Sequence, residues 1–318
     1  MRRSCSALTF AGAIACAGAF ALSGPRAVAN SSPPINIGYT NTISFTGLFI
    51  AKDQGMFAKR GLDVNLVLIS LNSTIPSALV GGSIEIGGTT PPVLLQAVQG
   101  GLDIVIIAGG AVNDVRNKDF GGVVARVGST IKTAKDFEGK RVGVPGIGAY
   151  MHVLFRRWLV EHGADDKKVN FVEVPLAQGS DILKSGNVDA VLVGEPFYNR
   201  IIKAKTGYLV AAYFTEMPDG LFAIYFSSNR EWAKRNSAQI KAFRDALAEA
   251  SVFLAREPAI SRQILGKATR LPPDVVASVA LPTLKLSVPV SDVKYWSDTL
   301  FAQGIIRTRP DPAALVVY

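Results

Sequence analysis

Cysteine is almost missing from this sequence: Cys5 and Cys16 are the only two in 318 residues. A disulfide framework and a four-cysteine zinc site are thereby excluded. Histidine is equally scarce, with His152 and His162 alone, which leaves little for a histidine-rich metal site. No Gly-x-Ser-x-Gly elbow, phosphate-loop Gly-Lys-Ser/Thr or His-Glu-x-x-His motif occurs, so the common hydrolase, nucleotide-hydrolysing and zinc-protease signatures are missing too. Lys and Arg exceed Asp and Glu by 34 to 25, a formal charge of +9. They form no basic block, so a nucleic-acid partner is not expected. What is there is apolar: 48% of residues are hydrophobic and 19% charged, enough for a packed core and too much for a disordered chain. The length allows about two domains of roughly 150 residues.

The first residues read as a targeting signal. Met1-Arg2-Arg3 is basic, Ala7 to Leu22 is uncharged and Ala/Gly-rich, and Ala27-Val28-Ala29 supplies small residues for a peptidase. That order predicts a secretory signal over residues 1–29, cleaved after Ala29. The apolar stretch falls short of the ~20 residues of a membrane span, and no later segment reaches that length. Lipid attachment at Cys16, in Ala13-Ile14-Ala15-Cys16, is the alternative processing. Cleavage would remove both cysteines, leaving an exported chain held by its core alone and unable to use a thiol nucleophile. A periplasmic location is the expectation.

From Ile35 onward strands alternate with helices. Strands are expected at Ile35–Tyr39, Asp63–Ser70, Ile84–Gly87 and Asp103–Gly109, and helices at Phe45–Ala58, Thr74–Val80 and Pro92–Gln99. Strand–helix–strand at this spacing implies parallel pairing through crossover helices. The order then repeats, with strands at Arg141–Pro145, Val169–Pro175 and Ala190–Gly194 and helices at Tyr150–Glu161 and Ser180–Ser185. Leu79-Val80-Gly81-Gly82-Ser83-Ile84-Glu85 is matched by Leu183-Lys184-Ser185-Gly186-Asn187-Val188-Asp189, a helix stop followed by a strand start in both. A pair of similar lobes follows. Gly121–Arg126 and Phe222–Ser227 are extended runs where the chain would cross between them and hinge. Glu231 to Gly304 reads as mostly helical, with Ile240, Phe243, Leu247, Ala250 and Leu254 on one stripe. The fold class expected is α/β, a two-lobed clamshell of mostly parallel open sheets joined by two crossover strands. Its parts are residues 30–122 (first lobe), 123–221 (second lobe) and 222–318 (return crossover and helical part completing the first lobe).

Open α/β sheets bind ligands beyond the carboxyl ends of their strands. In the first half those ends are Thr40 to Thr46, Leu71 to Thr74 and Gly88 to Thr90, dense in hydroxyls and amides and free of Lys and Arg. The same residue types cap helices, and a helix start serves both purposes. In the second half the ends are Gly146 to Tyr150, Leu176 to Gln178 and Glu195 to Phe197. The Gly146-Ile147-Gly148 turn opens a helix, but Met151 stands where a dinucleotide fingerprint needs its third glycine. A small anion at exposed N–H groups is the better reading. Glu195 either faces a cleft or satisfies its own helix dipole. His152, off its helix's apolar stripe, faces either a cleft or solvent; His162, at the same helix's end, suits the dipole and is assigned to the scaffold.

Several segments resemble a known group. Leu48 to Phe57 running into Arg60-Gly61-Leu62-Asp63-Val64, Ala78 to Gly87, Gln96 to Gly100, Asp136 to Val144, and Asp189 to Pro196 resemble, in order and spacing, the periplasmic solute-binding proteins for nitrate, sulfonate, taurine and pyrimidine precursors. The resemblance covers Ile35 to about Pro258. It implies a non-catalytic, monomeric two-lobed binder, without cofactor, that hands a small solute to an inner-membrane permease and its ATPase subunit. By position it implies a cleft lined by Ser44, Phe45, Thr46, Asn72, Ser73, Thr89 and Thr90, faced by Gly148, Tyr150 and Glu195. Hydroxyls and N–H groups would hold a sulfonate-, taurine- or nitrate-like oxyanion, and Glu195 an amine or the ring N–H of a small heterocycle. The competing reading is an enzyme on the same fold, similar to pyrimidine-precursor synthases. That reading would want a histidine and a lysine in the cleft loops, and the first-lobe loops have neither.

Overall fold

The computed structural model describes residues 33–116 and 120–317; the expected signal, Ala29 cleavage site and Cys16 lie outside the described residues. The first run comprises β1 (Ile35–Tyr39), α1 (Thr46–Asp53), β2 (Val64–Leu68), α2 (Ile75–Val80), β3 (Ile86–Thr89), α3 (Pro91–Gln99), β4 (Ile104–Gly109) and the short β5 (Ala111–Val112). The second comprises β6 (Gly121–Arg126), β7 (Arg141–Val144), α4 (Tyr150–Glu161), β8 (Asn170–Glu173), α5 (Gly179–Lys184), β9 (Ala190–Gly194), α6 (Phe197–Lys203) and β10 (Gly207–Ala211). The chain then returns through β11 (Tyr225–Asn229), α7 (Arg230–Arg235), α8 (Ser237–Arg256), α9 (Pro258–Thr269), α10 (Pro273–Ser278), β12 (Thr283–Leu284) and α11 (Val290–Ala302).

Two five-stranded sheets result, ordered β2-β1-β3-β11-β4 and β10-β6-β9-β7-β8. Read from the other edge, the second is β8-β7-β9-β6-β10, strand for strand the topology of the first. In each, a single strand runs antiparallel to both neighbours: β11 between β3 and β4, β6 between β9 and β10. The repeated sequence signature has a shared physical job. Gly82 and Gly186 adopt φ of 70° and 75°, a left-handed conformation that costs other residues, and so stop α2 and α5. The acid that closes each signature then accepts an N–H near the start of the neighbouring strand: Glu85 Oε2 from Asn36 N at 2.7 Å, and Asp189 Oδ2 from Arg141 N at 2.9 Å.

β4, buried along its whole length, explains its unbroken Ile/Val run, since a strand covered on both faces shows no alternation. α1 packs against α8 and α9. The α8 stripe is buried as expected, with Phe243 stacked on Phe57 at 5.8 Å and edge-on to Phe226 at 5.2 Å. In the second half Leu154, Phe155, Trp158 and Leu159 of α4 are buried, and Phe137 packs edge-on to Phe155 at 5.1 Å. Each such large side chain contributes about 2 kcal/mol of transfer free energy.

The crossing between sheets lies elsewhere than expected. Gly121–Arg126 is the sheet strand β6, and the last half of Phe222–Ser227 opens the sheet strand β11, each strand hydrogen-bonded on both sides. The chain changes sheet just before each: between Val112 and Gly121, and between Ala211 and Tyr225. These connectors pair with each other, Asn113 N donating to Leu221 O at 2.7 Å and Gly220 N to Asn113 O at 2.8 Å. Gly121 makes the tight entry into β6 possible: its φ is 127°, and a Cβ there would sit 2.3 Å from Val193 O. α6 and β10 were not foreseen; α6 spans seven residues and buries only Phe197 and Ile201, too few positions to show a period.

Candidate functional site

A cavity of about 70 Å³ lies where the carboxyl ends of both sheets meet. At about 10–15 Å³ for one water, that is room for roughly five waters or one small solute. The loop after β1 contributes Thr40, Thr42 and Ser44, that after β2 Ser70 and Asn72, and that after β3 Thr90. The second sheet contributes Pro145, Ala149, Tyr150 and Met151 after β7, Leu176 after β8, and Gly194 and Glu195 after β9. Phe120, Ala223 and Ile224 come from the connectors. One wall is therefore hydroxyl and amide, the other mainly apolar, with a single carboxylate; no Lys, Arg or His lines it among the described residues.

Of the ten residues proposed from sequence, Ser44, Asn72, Thr90, Tyr150 and Glu195 line the cavity. Phe45, Thr46, Ser73, Thr89 and Gly148 do not, each for a packing reason. Phe45 is fully buried beneath Gly88, where a Cβ would meet its ring at 2.1 Å. Thr46 turns its hydroxyl onto Ile43 O at 2.6 Å, and Thr89 shares its hydroxyl with Ser227 Oγ at 2.9 Å inside the sheet. Ser73 sits half-buried in the 3₁₀ turn Asn72–Thr74. Gly148, at φ 74°, gives its carbonyl to Gln96 Nε2 at 2.7 Å and its N–H to His152 Nδ1 at 2.8 Å. Phe120, Ala223 and Ile224 escaped the sequence reading because strand-end reasoning looks only at loops that follow strands, whereas these belong to the connectors.

Asn72 reaches the cavity with both ends of its amide in use. Nδ2 donates to Gly88 O and Oδ1 accepts from Thr90 N, both at 2.9 Å. It thereby fixes the β3–α3 turn and, through it, Thr90. The Thr90 hydroxyl is buried with no protein partner, an unmet group on the cavity wall of the kind a ligand or water satisfies. α3 offers few donors of its own, because Pro91 and Pro92 occupy its first positions and lack N–H groups. α4 differs: Ala149 at its N-cap makes no side-chain cap, and Ala149, Tyr150 and Met151 at the start of this twelve-residue helix line the cavity, where first-turn N–H groups lack intrahelical partners.

Glu195 is 2% exposed. Its carboxylate accepts from the Asn199 backbone N–H at 3.5 Å and, more tightly, from the Asn199 side-chain amide. It thus satisfies the start of α6 and borders the cavity at once; two carboxylate oxygens offer about four acceptor sites, enough for both. Tyr150 is buried between Phe214, stacked at 6.0 Å, and Trp296 at 5.4 Å. Burial pushes its hydroxyl well above the usual phenol range, and the Asp292 charge adds to this. His152 faces neither cleft nor solvent. It is buried against Phe171 at 4.4 Å, and burial together with Arg156 lowers its pKa to about 4. A neutral ring fits its job as acceptor for Gly148 N. His162 packs at a tilt on Trp158 at 4.7 Å and lies 3.4 Å from Glu216, a scaffold position away from the cavity.

Comparison with known proteins gives a consistent picture. A family profile described as NMT1/THI5 like matches residues 42–260. A protein of Escherichia coli (strain K12) named for aliphatic sulfonate binding is 27% identical over 270 residues, 83% of this chain and 81% of its own. The alkanesulfonate-binding protein SsuA from Xanthomonas axonopodis pv. citri, solved bound to MOPS, superposes with a TM-score of 0.75 at 22% identity over 90% of this chain and 98% of that one. The periplasmic nitrate-binding protein NrtA from Synechocystis PCC 6803 superposes with a TM-score of 0.75 at 19% identity, covering 88% and 84%. The two superpositions establish the periplasmic-binding-protein fold.

Proposed function

The chain belongs to the NMT1/THI5-like family, and we propose that it is the solute-binding component of an ATP-driven import system whose solute is a small aliphatic sulfonate or aminosulfonate. The cavity with one hydroxyl wall and one apolar wall carries this reading. A sulfonate head spreads one charge over three weakly basic oxygens, which hydroxyls and helix-start N–H groups can satisfy without an arginine clamp. The unmet Thr90 hydroxyl and the uncapped start of α4 stand where such a head would lie. Nitrate or bicarbonate would leave Phe120, Met151, Leu176 and Ile224 facing water, whereas an alkyl chain covers them. The sulfonate names among the relatives point the same way.

On this reading Ser44, Asn72, Thr90, Tyr150 and Glu195 are the binding residues, with Glu195 accepting from an ammonium group at the solute's other end. The first sheet with residues 33–112 and 225–317 makes one lobe, and residues 121–211 with the second sheet make the other. The protein works in the periplasm after loss of residues 1–29, passing solute to a membrane permease and its ATPase. Calorimetry with taurine, ethanesulfonate, nitrate and bicarbonate tests it. Taurine and ethanesulfonate should bind and the inorganic anions should not. Glu195→Gln should weaken taurine by about ten- to a hundredfold, the value of a hydrogen bond to a charged partner, and spare ethanesulfonate. Binding of nitrate or bicarbonate in preference to both sulfonates would sink the reading.

A further inference from the structure

Three hydrogen bonds hold the turn 146–148, and one of them depends on a proton. Ile147 N donates to Glu173 Oε1 at 2.8 Å, Gln96 Nε2 of the first lobe to Gly148 O at 2.7 Å, and Gly148 N to His152 Nδ1 at 2.8 Å. The residues on either side of this turn, Pro145 and Ala149, line the cavity, as do Tyr150 and Met151 beyond it. An imidazole nitrogen accepts a hydrogen bond only while it carries no proton. From this geometry we propose that His152 is a positioning residue for solute binding and an acid-operated release latch. Its neutral ring holds the first turn of α4 against the solute, and proton uptake by the ring lets the solute go. The inference rests on the reading of the cavity as the solute site and adds a regulation of that site.

The ring has one way to be neutral here. Nδ1 accepts, so the proton sits on Nε2, which is buried without a partner. His152 itself is 5% exposed and lies edge-on to Phe171 of β8. A second proton has to go onto Nδ1, where it meets the Gly148 N–H head-on, and two donors cannot bond. The surrounding charges do not reward the cation. Arg156, one turn along α4, repels it; Asp166, in the turn before β8, attracts it but is spent on Arg156 Nε at 2.5 Å. Glu173 of β8 is spent on Ile147 N, and α3 presents the uncharged Gln96. Burial and Arg156 together therefore favour the neutral ring in this arrangement. Once the turn loosens and water reaches the ring, a proton binds near the ordinary imidazole value of about 6.5. The closed form thus binds fewer protons than the opened one, and acid draws the protein away from the form that holds solute. Gly148 sits so close to Gln96 that a Cβ would lie 2.5 Å from Oε1, so a displaced turn loses the bond between the lobes as well.

The test is calorimetry with ethanesulfonate, whose own charge does not change, at about pH 7 and about pH 4.5. Wild-type affinity should fall by about tenfold or more between the two. His152→Asn places an amide oxygen near the Nδ1 position and takes up no proton; it should bind close to wild type at the higher pH and lose little at the lower. His152→Leu supplies no acceptor and should bind weakly at both. His162→Gln should keep the wild-type profile. Slopes from other groups, Asp292 with its pKa of about 6 among them, are common to wild type and variants and cancel in the comparison. Amide NMR without solute reads the latch directly: the Gly148 signal should move together with the His152 ring as pH falls. Circular dichroism checks folding, and if His152→Asn does not fold the Gly148 signal decides. A wild-type affinity that falls no further than that of His152→Asn overturns the latch while the solute site stands. Failure of every sulfonate to bind overturns the sulfonate reading instead. In that case a Gly148 signal that follows the ring sustains the latch for another solute, and one that ignores the ring overturns it too.

Discussion

Asp292, at the start of α11, accepts from Phe222 N at 3.0 Å and from the Tyr225 hydroxyl. Burial outweighs these bonds and the Lys285 charge, and raises its pKa to about 6. His152 is displaced oppositely, down to about 4. The raised Asp292 gives stability that is present below the unfolded carboxylate pKa and lost as pH climbs through about 6. The lowered His152 gives stability that is present above about 6.5 and lost as pH falls towards 4. Each amounts to about 3 kcal/mol at most. Over pH 4.5–6.5 the two slopes oppose each other, so chemical denaturation of the wild type should show a nearly flat stability. Asp292→Asn should leave a stability that falls on acidification, and His152→Gln one that falls as pH rises. If both variants keep the wild-type profile, these two groups are not buried as described. Below this window Asp114, held down to about 2 by Arg116, adds ordinary acid loss.

Among the elements, α3 and α4 carry a direct bond between the two lobes. Gln96 of α3 donates from Nε2 both to Pro92 O at 2.9 Å and to Gly148 O at 2.7 Å. The second bond pins the glycine turn whose N–H is held by His152, and so sets where the uncapped start of α4 points. Gln96→Ala breaks the tie without touching the cavity wall. On the proposed function it should weaken solute binding by about fivefold, the worth of one neutral hydrogen bond of about 1 kcal/mol, mainly as a faster off-rate. Stopped-flow release of taurine measures this; an unchanged off-rate would mean that the bond follows closure rather than supporting it.

At the scale of the whole molecule, only the two paired connectors join the sheets along the chain, while α11 adds a strut. Trp296 packs on Tyr150 of the second lobe, Gln303 Nε2 reaches Val153 O at 2.9 Å, and α11 also lies against α3 of the first lobe. On the proposed function, opening should bend the connectors at Asn113 and at 212–224 and slide α11 along one partner, a hinge with a shear component. Small-angle scattering should show a smaller radius of gyration with saturating solute. Solute at a hundred times its Kd should raise stability by about 2.7 kcal/mol through linkage. A raised melting temperature with an unchanged radius would show that the free protein is already closed.

The sequence by itself determined the architecture. Apolar runs, helix stripes and two copies of one helix-stop signature report local periodicity, and that was enough for two lobes of equal topology and for the strand ends where a solute would lie. It went as far as the loops around the cavity, and half the residues chosen there line it. Tertiary structure decided the rest, since which side of a turn a hydroxyl faces depends on what lies behind it. Thr46 and Thr89 turn inward because Ile43 O and Ser227 offer partners there, and Phe45 because Gly88 leaves room for its ring. The connectors, the strut α11 and the pairing of β5 with β12 join residues more than a hundred positions apart. No local pattern in the chain encodes such a meeting; it exists only once the two sheets have formed and set their edges side by side.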